Sequence, residues 1–338
     1  MTYSLEAYRG KTVLVTGATG FTGQVLAKKL VAAGANVRAI ARKSSVLGDL
    51  EPLDIQWYRG DVFDPGIIDQ AVDGVHYIFH LAAAFREVKS STEGYRLVHV
   101  TSTELLAKAV IGKQEFECFV HVSTVGVHGH IEVDRADEDY RFAPGDDYQN
   151  TKLEGELWLR DFAKENNIPF SVVRPAPIMG PGDMRLLKMF RMVNKGFFLM
   201  LGGGKGMYHL VHVDDLTNVM LLSGITPEAR SEVFIAAGDE PLGMVEIAKI
   251  IAEKIGKKVR IIRLPITPFY AAAYLCERIL PPLGIQPPIY RRRVDFYTKD
   301  RQFDNSKSRK LLNYEFKYTN ELGIEETANW YKKNGLLD

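Results

Sequence analysis

The sequence predicts an α/β protein: a doubly wound parallel sheet followed by a smaller C-terminal lobe. Three observations point there. Thr16-Gly17-Ala18-Thr19-Gly20-Phe21-Thr22-Gly23 follows the apolar run Thr12-Val13-Leu14-Val15 and precedes a helical pattern that runs to Gly34. Short apolar runs then alternate with helical patterns as far as residue 173, and such alternation builds parallel strands joined by right-handed crossovers. After Arg174 the rhythm changes, because Pro175-Ala176-Pro177 and Gly180-Pro181-Gly182-Asp183 are loop chemistry.

The first strand and its glycine loop occupy residues 12–23. Gly17 permits a tight turn, Gly20 lets the backbone approach a pyrophosphate at the helix start, and Gly23 lets the helix lie close on the strand. An ordinary tight turn would also use glycine at this spacing; the strand before it and the helix after it are what mark dinucleotide binding. In that helix Val25, Leu26, Leu30 and Val31 share one face, and Gly34 closes its end. Residues 36–41 make a second strand, followed by Arg42-Lys43-Ser44. The residue after this strand reads the adenosine ribose: an acid bonds the 2′-hydroxyl, whereas an arginine accommodates a 2′-phosphate. Arg42 and Arg38 lie on this segment and no acid stands at its end, which favours NADP(H) over NAD(H). As solvated surface charges, the two arginines would carry no such preference.

Residues 55–58 form a third strand ending in Gly60-Asp61-Val62, and Asp64-Pro65 starts a helix with proline at its first position. Residues 75–80 form a fourth strand, followed by Leu81-Ala82-Ala83-Ala84, small residues against which a cofactor can lie flat. Residues 94–111 and 148–166 read as long helices, and 119–122 and 170–173 as strands. The ligand of such a sheet lies beyond the C-terminal strand ends. Further on come a short helix at 186–193, a surface turn at Gly202-Gly203-Gly204, strands at 208–213 and 233–236, and an amphipathic helix at 244–255. Residues 264–289 are apolar and proline-rich, and Arg291-Arg292-Arg293 follow. The expected division is a dinucleotide-binding domain of residues 1–174, rejoined by 207–237, and a smaller substrate lobe of 175–206 and 238–338.

A chain of 338 residues with 46% hydrophobic and 25% charged residues can bury a large core. Its formal net charge of +1 creates no bulk field for nucleic acid or for a membrane surface. Two cysteines, Cys118 and Cys276, make no disulfide framework. The first residues have no apolar core of a secretory signal, and no apolar run is long enough to span a bilayer, so a cytoplasmic location without membrane insertion is expected.

Candidate chemistry begins with Tyr148-Gln149-Asn150-Thr151-Lys152. This spacing puts a phenol and an ammonium on one face of a helix start. The cation favours phenolate, and a phenol titrating nearer neutrality can exchange a proton with a substrate hydroxyl or carbonyl. Thr124 adds a hydroxyl at the end of the fifth strand, so hydroxyl, phenol and ammonium can converge where a nicotinamide would lie. His121, His128 and His130 have no acidic or cysteine partner at ligand spacing, so no metal is expected.

These pieces together resemble an extended short-chain dehydrogenase/reductase, over nearly the whole length. The resemblance rests on the Gly17, Gly20 and Gly23 loop, Gly60-Asp61-Val62, Leu81-Ala82-Ala83, Ser123-Thr124 with Gly129, Tyr148 with Lys152, Arg174-Pro175, Gly180-Pro181-Gly182-Asp183 and His212-Val213-Asp214-Asp215. It implies a Rossmann sheet and a hydride exchanged between a nicotinamide and a substrate carbon. Tyr148 would be the acid/base, Lys152 would hold the nicotinamide ribose, and Thr124 would bond the reacting oxygen, with Ser123 as the second candidate. Asp61 and Val62 would touch the adenine. The rest of the implied cofactor site is Gly17, Thr19, Gly20, Phe21, Thr22 and Gly23, then Arg42 and Lys43, then Leu81, Ala82 and Ala83, and finally Ser123 and Pro175.

The chain departs from the family pattern at two places. His99 stands where family members often have asparagine, and it reads as a packed helix residue. Pro177 stands where nucleotide-sugar epimerases and dehydratases usually carry an asparagine, and the arginine such enzymes often have near Tyr208 is missing. Arg-Pro-Ala-Pro at 174–177 and the apolar 264–289 stretch are more like the dihydroflavonol-reductase and 3β-hydroxysteroid-dehydrogenase branch. The expectation is therefore an NADP(H)-dependent oxidoreductase acting on a bulky hydrophobic ketone or secondary alcohol. The alternatives are a nucleotide-sugar epimerase or dehydratase that retains its NAD(P), to which Arg291 to Arg293 would lend a phosphate contact, and a non-enzymatic NADP sensor. The resemblance also implies a homodimer that pairs the two long helices of each copy in a four-helix bundle.

Overall fold

The structure is a computed structural model that describes residues 5–84, 92–204, 206–280 and 300–337, together with 282, 285 and 294. Its centre is a seven-stranded sheet. Strand β1 (Thr12–Thr16) leads through the glycine loop into helix α1 (Phe21–Ala32), and β2 (Asn36–Ala41) and β3 (Ile55–Arg59) follow on one side. Helix α2 (Pro65–Ala71) is capped by Asp64, whose carboxylate accepts from the N–H groups of Gly66 and Ile67. The chain then crosses to the other side of β1 with β4 (Tyr77–His80). Residues 92–109 run as α3 (Thr92–Arg96), one π turn (Leu97–Thr101) and α4 (Ser102–Ala109). After β5 (Cys118–Val122) come the long helix α5 (Asp147–Glu165) and β6 (Phe170–Pro175).

Beyond β6 the elements shorten. Strand β7 (Ile178–Met179), helix α6 (Leu187–Asn194), β8 (Phe197–Leu201), β9 (Met207–Tyr208) and β10 (Val211–His212) lie outside the main sheet. The run 208–213, expected as one strand, divides because β9 pairs antiparallel with a later strand while β10 pairs in parallel with β7. Val213 already begins helix α7 (Val213–Ile225), with the ring of His212 accepting from the Asp214 N–H as its cap. Strand β11 (Val233–Ala236) adds to the edge of the main sheet beside β6. Strand β12 (Leu242–Gly243), helix α8 (Met244–Ile255), β13 (Arg260–Leu264) and helix α9 (Ile266–Ile279) follow, and β13 pairs in parallel with β8.

All neighbours in the main sheet are parallel, in the order β11-β6-β5-β4-β1-β2-β3. The strands read as continuous apolar runs because both faces are covered. Val13 and Val15 join one core with Leu26, Leu30, Leu216 and Met220, while Leu14 joins another with Leu106, Leu159 and Phe170. A third core, built on Phe190, Phe198, Ile251 and Tyr331, sits in the C-terminal part. The strand order reverses between β1 and β4, and a doubly wound sheet opens its ligand crevice at such a point.

Candidate active site

The glycine loop lies at that reversal. Gly17 has a φ of +74°, and a Cβ there would stand 2.9 Å from the main-chain nitrogen of Ala82. The loop and the segment after β4 are tied together: the Leu81 N–H donates to the Thr16 carbonyl at 3.2 Å, and the Ala82 N–H donates to the Thr16 hydroxyl at 3.1 Å. Gly23 has no room for a side chain either, since its Cβ would fall 2.1 Å from the Gly17 carbonyl oxygen. Gly20 is the N-cap of α1 in extended conformation and brings no side chain to the first turn. The N–H groups that open a helix need an acceptor, and with no cap side chain over Phe21, Thr22 and Gly23 a pyrophosphate fits there. The Thr19 carbonyl turns the other way and accepts from the Gln24 amide at 3.1 Å. The Phe21 ring packs against Gly182, with the Arg185 guanidinium 5.8 Å above its centre, so the 178–186 segment reaches the mouth of this loop.

The two arginines of the second strand part company. Arg42 and Lys43 are exposed just past the end of β2, and Arg59 steadies their segment by donating to the carbonyls of Ser45 at 3.0 Å and Arg42 at 3.4 Å. Arg38 sits in mid-strand and is tied down. It donates to the Gln56 side chain at 3.2 Å, to the Ala71 carbonyl at 3.2 Å and to the Asp73 carbonyl. Only Arg42 of this pair stands at the strand end. Asp61, exposed, and Val62, half-buried, follow β3 on the same side.

The third cluster gathers at the end of β5. Asp146 caps α5 by accepting from the Gln149 N–H at 2.9 Å, which fixes the first turn carrying Tyr148. One turn on, Lys152 is 2% exposed, and its ammonium donates to the Val122 carbonyl at 2.5 Å. Burial pulls its pKa from the usual 10.5 down to about 8, against an opposing pull from Glu156. Thr124 follows β5 directly. Its hydroxyl oxygen accepts from the Gly126 N–H at 3.0 Å, so its own proton is free to turn toward a ligand. Ser123 is buried, and its hydroxyl has no hydrogen-bond partner among the described residues. The Tyr148 ring stands edge-on to His99, with centroids 5.2 Å apart at 87°, and to Tyr95 at 6.3 Å and 77°. Thus Thr124, Tyr148 and Lys152 share the end of β5, next to the strand whose following segment lies on the glycine loop.

A buried frame holds these pieces. Arg174 and Glu156, both fully buried, pair through two bonds of 3.1 and 2.5 Å. Burial pushes the Glu156 carboxyl up, yet the bidentate guanidinium outweighs it and keeps the pKa below the ordinary range. Arg174 also donates to the Glu138 carbonyl at 2.7 Å, and its neighbour Pro175 ends β6. Sequence reasoning missed this ion pair, which joins residues 18 apart on different elements. It also took His99 for packing alone, whereas the ring makes two hydrogen bonds described below. The three histidines considered for a metal have separate surroundings. His121 lies inside β5, His128 faces the Arg141 carbonyl at 3.1 Å, and His130 accepts from the Asp300 N–H at 3.1 Å. Arg291 to Arg293 lie outside the described residues.

Comparison with known proteins bears on the family and the fold. The model of the NAD dependent epimerase/dehydratase family matches residues 13–234. The 3 beta-hydroxysteroid dehydrogenase/Delta 5-->4-isomerase of Mycobacterium tuberculosis is 28% identical over 340 residues, which cover 94% of this chain and 90% of that protein. Short-chain dehydrogenase/reductase family 42E member 1 of Danio rerio is 26% identical over 360 residues, covering 97% and 89%. Among solved structures, that of gox2253 superposes with a TM-score of 0.81 at 23% identity, over 97% of this chain and all of that one. The chain therefore belongs to the NAD dependent epimerase/dehydratase family and is an NAD(P)-dependent oxidoreductase of the extended short-chain dehydrogenase/reductase type.

Proposed function

We propose that the protein is an NADP(H)-dependent oxidoreductase that interconverts a ketone and a secondary alcohol on a bulky, hydrophobic substrate. The observation that supports this reading is the Lys152 bond to Val122, the last residue of β5, which brings the first turns of α5, carrying Tyr148, to the strand end that Thr124 follows. The bound nicotinamide would supply or accept the hydride. The chain's own groups do the rest. Tyr148 gives its phenolic proton to the substrate oxygen during reduction and takes it back during oxidation. The Thr124 hydroxyl donates to the same oxygen, with its lone pair held by Gly126. The Lys152 ammonium, anchored on Val122, bonds the ribose and favours the phenolate.

The cofactor preference rests on Arg42 and Lys43, exposed just past the end of β2, because a cationic side chain after this strand accommodates a 2′-phosphate. The hydrophobic substrate rests on the C-terminal part, proposed as the substrate lobe of residues 175–206 and 238–338. There α9 exposes Tyr270, Tyr274, Leu275 and Ile279. The likeness to a protein named for hydroxysteroid oxidation points the same way. A homodimer pairing the helical stretch 92–109 and α5 of each copy completes the proposal. No helix among the described residues is long and apolar enough to cross a membrane.

The test is a spectroscopic assay with a panel of hydrophobic ketones and free NADPH. Stoichiometric loss of NADPH with one of them is the expected result. Cofactor retained through purification, with conversion of a sugar nucleotide and no net redox change, would replace this reading with the epimerase/dehydratase one.

A further inference from the structure

The helical stretch 92–109 changes pitch at one place, the π turn Leu97–Thr101. Single π turns inside helices disturb the hydrogen-bond ladder and mark functional sites. Here two hydroxyls bond to carbonyls of the turn. Ser102 Oγ donates to the Val98 carbonyl at 2.6 Å, and Thr103 Oγ1 donates to the His99 carbonyl at 2.8 Å. Helix α5 leans directly on the turn. A Cβ at Gly155 would come within 2.3 Å of the His99 carbonyl oxygen, so only glycine allows this approach.

The turn sends His99 inward, where it is 1% exposed. The Ala84 N–H donates to Nε2 at 3.1 Å, so this nitrogen is the acceptor and the proton sits on Nδ1. Nδ1 lies 2.8 Å from Thr151 Oγ1, whose own proton goes to the Asp147 carbonyl at 2.7 Å. Burial first, and the Lys152 charge second, keep the ring neutral, with a pKa pulled down to about 2. The ring thus touches the segment after β4 through Ala84, the first turn of α5 through Thr151, and the Tyr148 phenol edge-on at 5.2 Å. The ionisable groups around it are Lys152, His80, Tyr95 and Tyr148.

We propose that His99 is a positioning residue for Tyr148: its ring sets the plane of the phenol, and its two hydrogen bonds fix the first turn of α5 against the segment after β4. This inference rests on the acid/base role of Tyr148. It gives the π turn a purpose, since the turn lies where the His99 ring meets both Tyr148 and Thr151.

Four variants test it: His99→Ala, His99→Phe, His99→Asn and, as reference, Tyr148→Phe. The measurements are kcat and KM against pH, cofactor Kd, thermal stability, and the alkaline absorbance titration of the cofactor-free protein with Tyr148→Phe as blank. His99→Ala and His99→Phe are expected to lower kcat about tenfold to a hundredfold, as a misplaced reacting group does, with cofactor Kd changed by about twofold or less. Both should also move the titration of the Tyr148 phenol. His99→Asn, which keeps a donor and an acceptor, should recover most of the lost kcat. Wild-type kcat and pH profile in a folded His99→Ala or His99→Phe protein would overturn the proposal, even with stability lowered. So would His99→Asn no faster than His99→Ala. Full turnover in Tyr148→Phe would instead sink the reading on which the proposal rests.

Discussion

The Lys152 ammonium donates a 2.5 Å hydrogen bond to the Val122 carbonyl, and this one contact ties helix α5 to the end of strand β5. Val122 is the last residue of the strand, and Ser123 and Thr124 follow it at once. Tyr148 lies one helical turn before Lys152 on the same face. The bond therefore sets the phenol, the ammonium and the threonine hydroxyl in one register, and it does so in a place that water barely reaches.

The burial has a consequence for pH. With a pKa near 8, Lys152 loses its charge in mildly alkaline solution. The rate of ketone reduction should fall above about pH 8, since the neutral amine no longer supports Tyr148 or the ribose. This loss is not unfolding. The folded pKa lies below the unfolded value of 10.5, so between these values the unfolded chain binds more protons, and the stability from this group rises with pH. A kcat profile flat to pH 10 at saturating cofactor, pH 10 being roughly where free lysine titrates, would contradict the assignment.

At the acid end the buried imidazoles govern. Burial lowers His80 to about 3 and His212 to about 4, from an ordinary 6.5. Both are neutral in the folded chain and become charged more readily when unfolded. Their stabilisation is complete above pH 6.5 and drains away as pH falls toward 3 and 4. Thermal melts should show stability declining over this window, and His80→Gln should reduce the slope. An identical slope in that variant would remove His80 from the account.

Cofactor choice should turn on Arg42. Arg42→Asp is expected to weaken NADPH binding about tenfold or more, the size of one charge-assisted hydrogen bond, while NADH binding changes little. Arg38→Ala should leave the NADPH-to-NADH ratio as it was, because Arg38 is committed to Gln56, Ala71 and Asp73. Equal losses for both cofactors in Arg42→Asp, read from equilibrium titrations, would show no 2′-phosphate contact.

The close approach at Gly23 can be tested by a single methyl group. Gly23→Ala places a Cβ 2.1 Å from a main-chain oxygen, which cannot step aside. It should destabilise the fold by at least about 1–3 kcal/mol, the usual penalty of overpacking. Gly243→Ala meets no atom within 4 Å and should be tolerated. Equal melting temperatures for the two variants would mean that the loop is looser than described.

Much of this was legible in the sequence because its signals are local. The glycine spacing, the Asp64-Pro65 helix start and the Tyr148-to-Lys152 interval each lie within a few residues. Strands buried on both faces, such as residues 12–16, show as unbroken apolar runs. What escaped depends on distant partners. Helix α7 is buried nearly all round, Asp215 and Thr217 as well as Leu216 and Leu221, so no amphipathic stripe announces it. The run 208–213 reads as one strand in sequence because its division comes from Ile178 and Leu242, both distant from it along the chain. His99 looked like packing because its partners, Ala84 and Thr151, are joined to it only through the π turn and the fold of α5. Arg38 read as a cofactor candidate because its ties to residues 71 and 73 are invisible in sequence.

The central claim is that the Tyr148 phenol moves the proton. The most direct measurement is the turnover of Tyr148→Phe with NADPH and an accepted ketone, beside its NADPH affinity. The account predicts that turnover is abolished while NADPH binds nearly as tightly as before. Turnover at the wild-type rate in a folded Tyr148→Phe protein would contradict it.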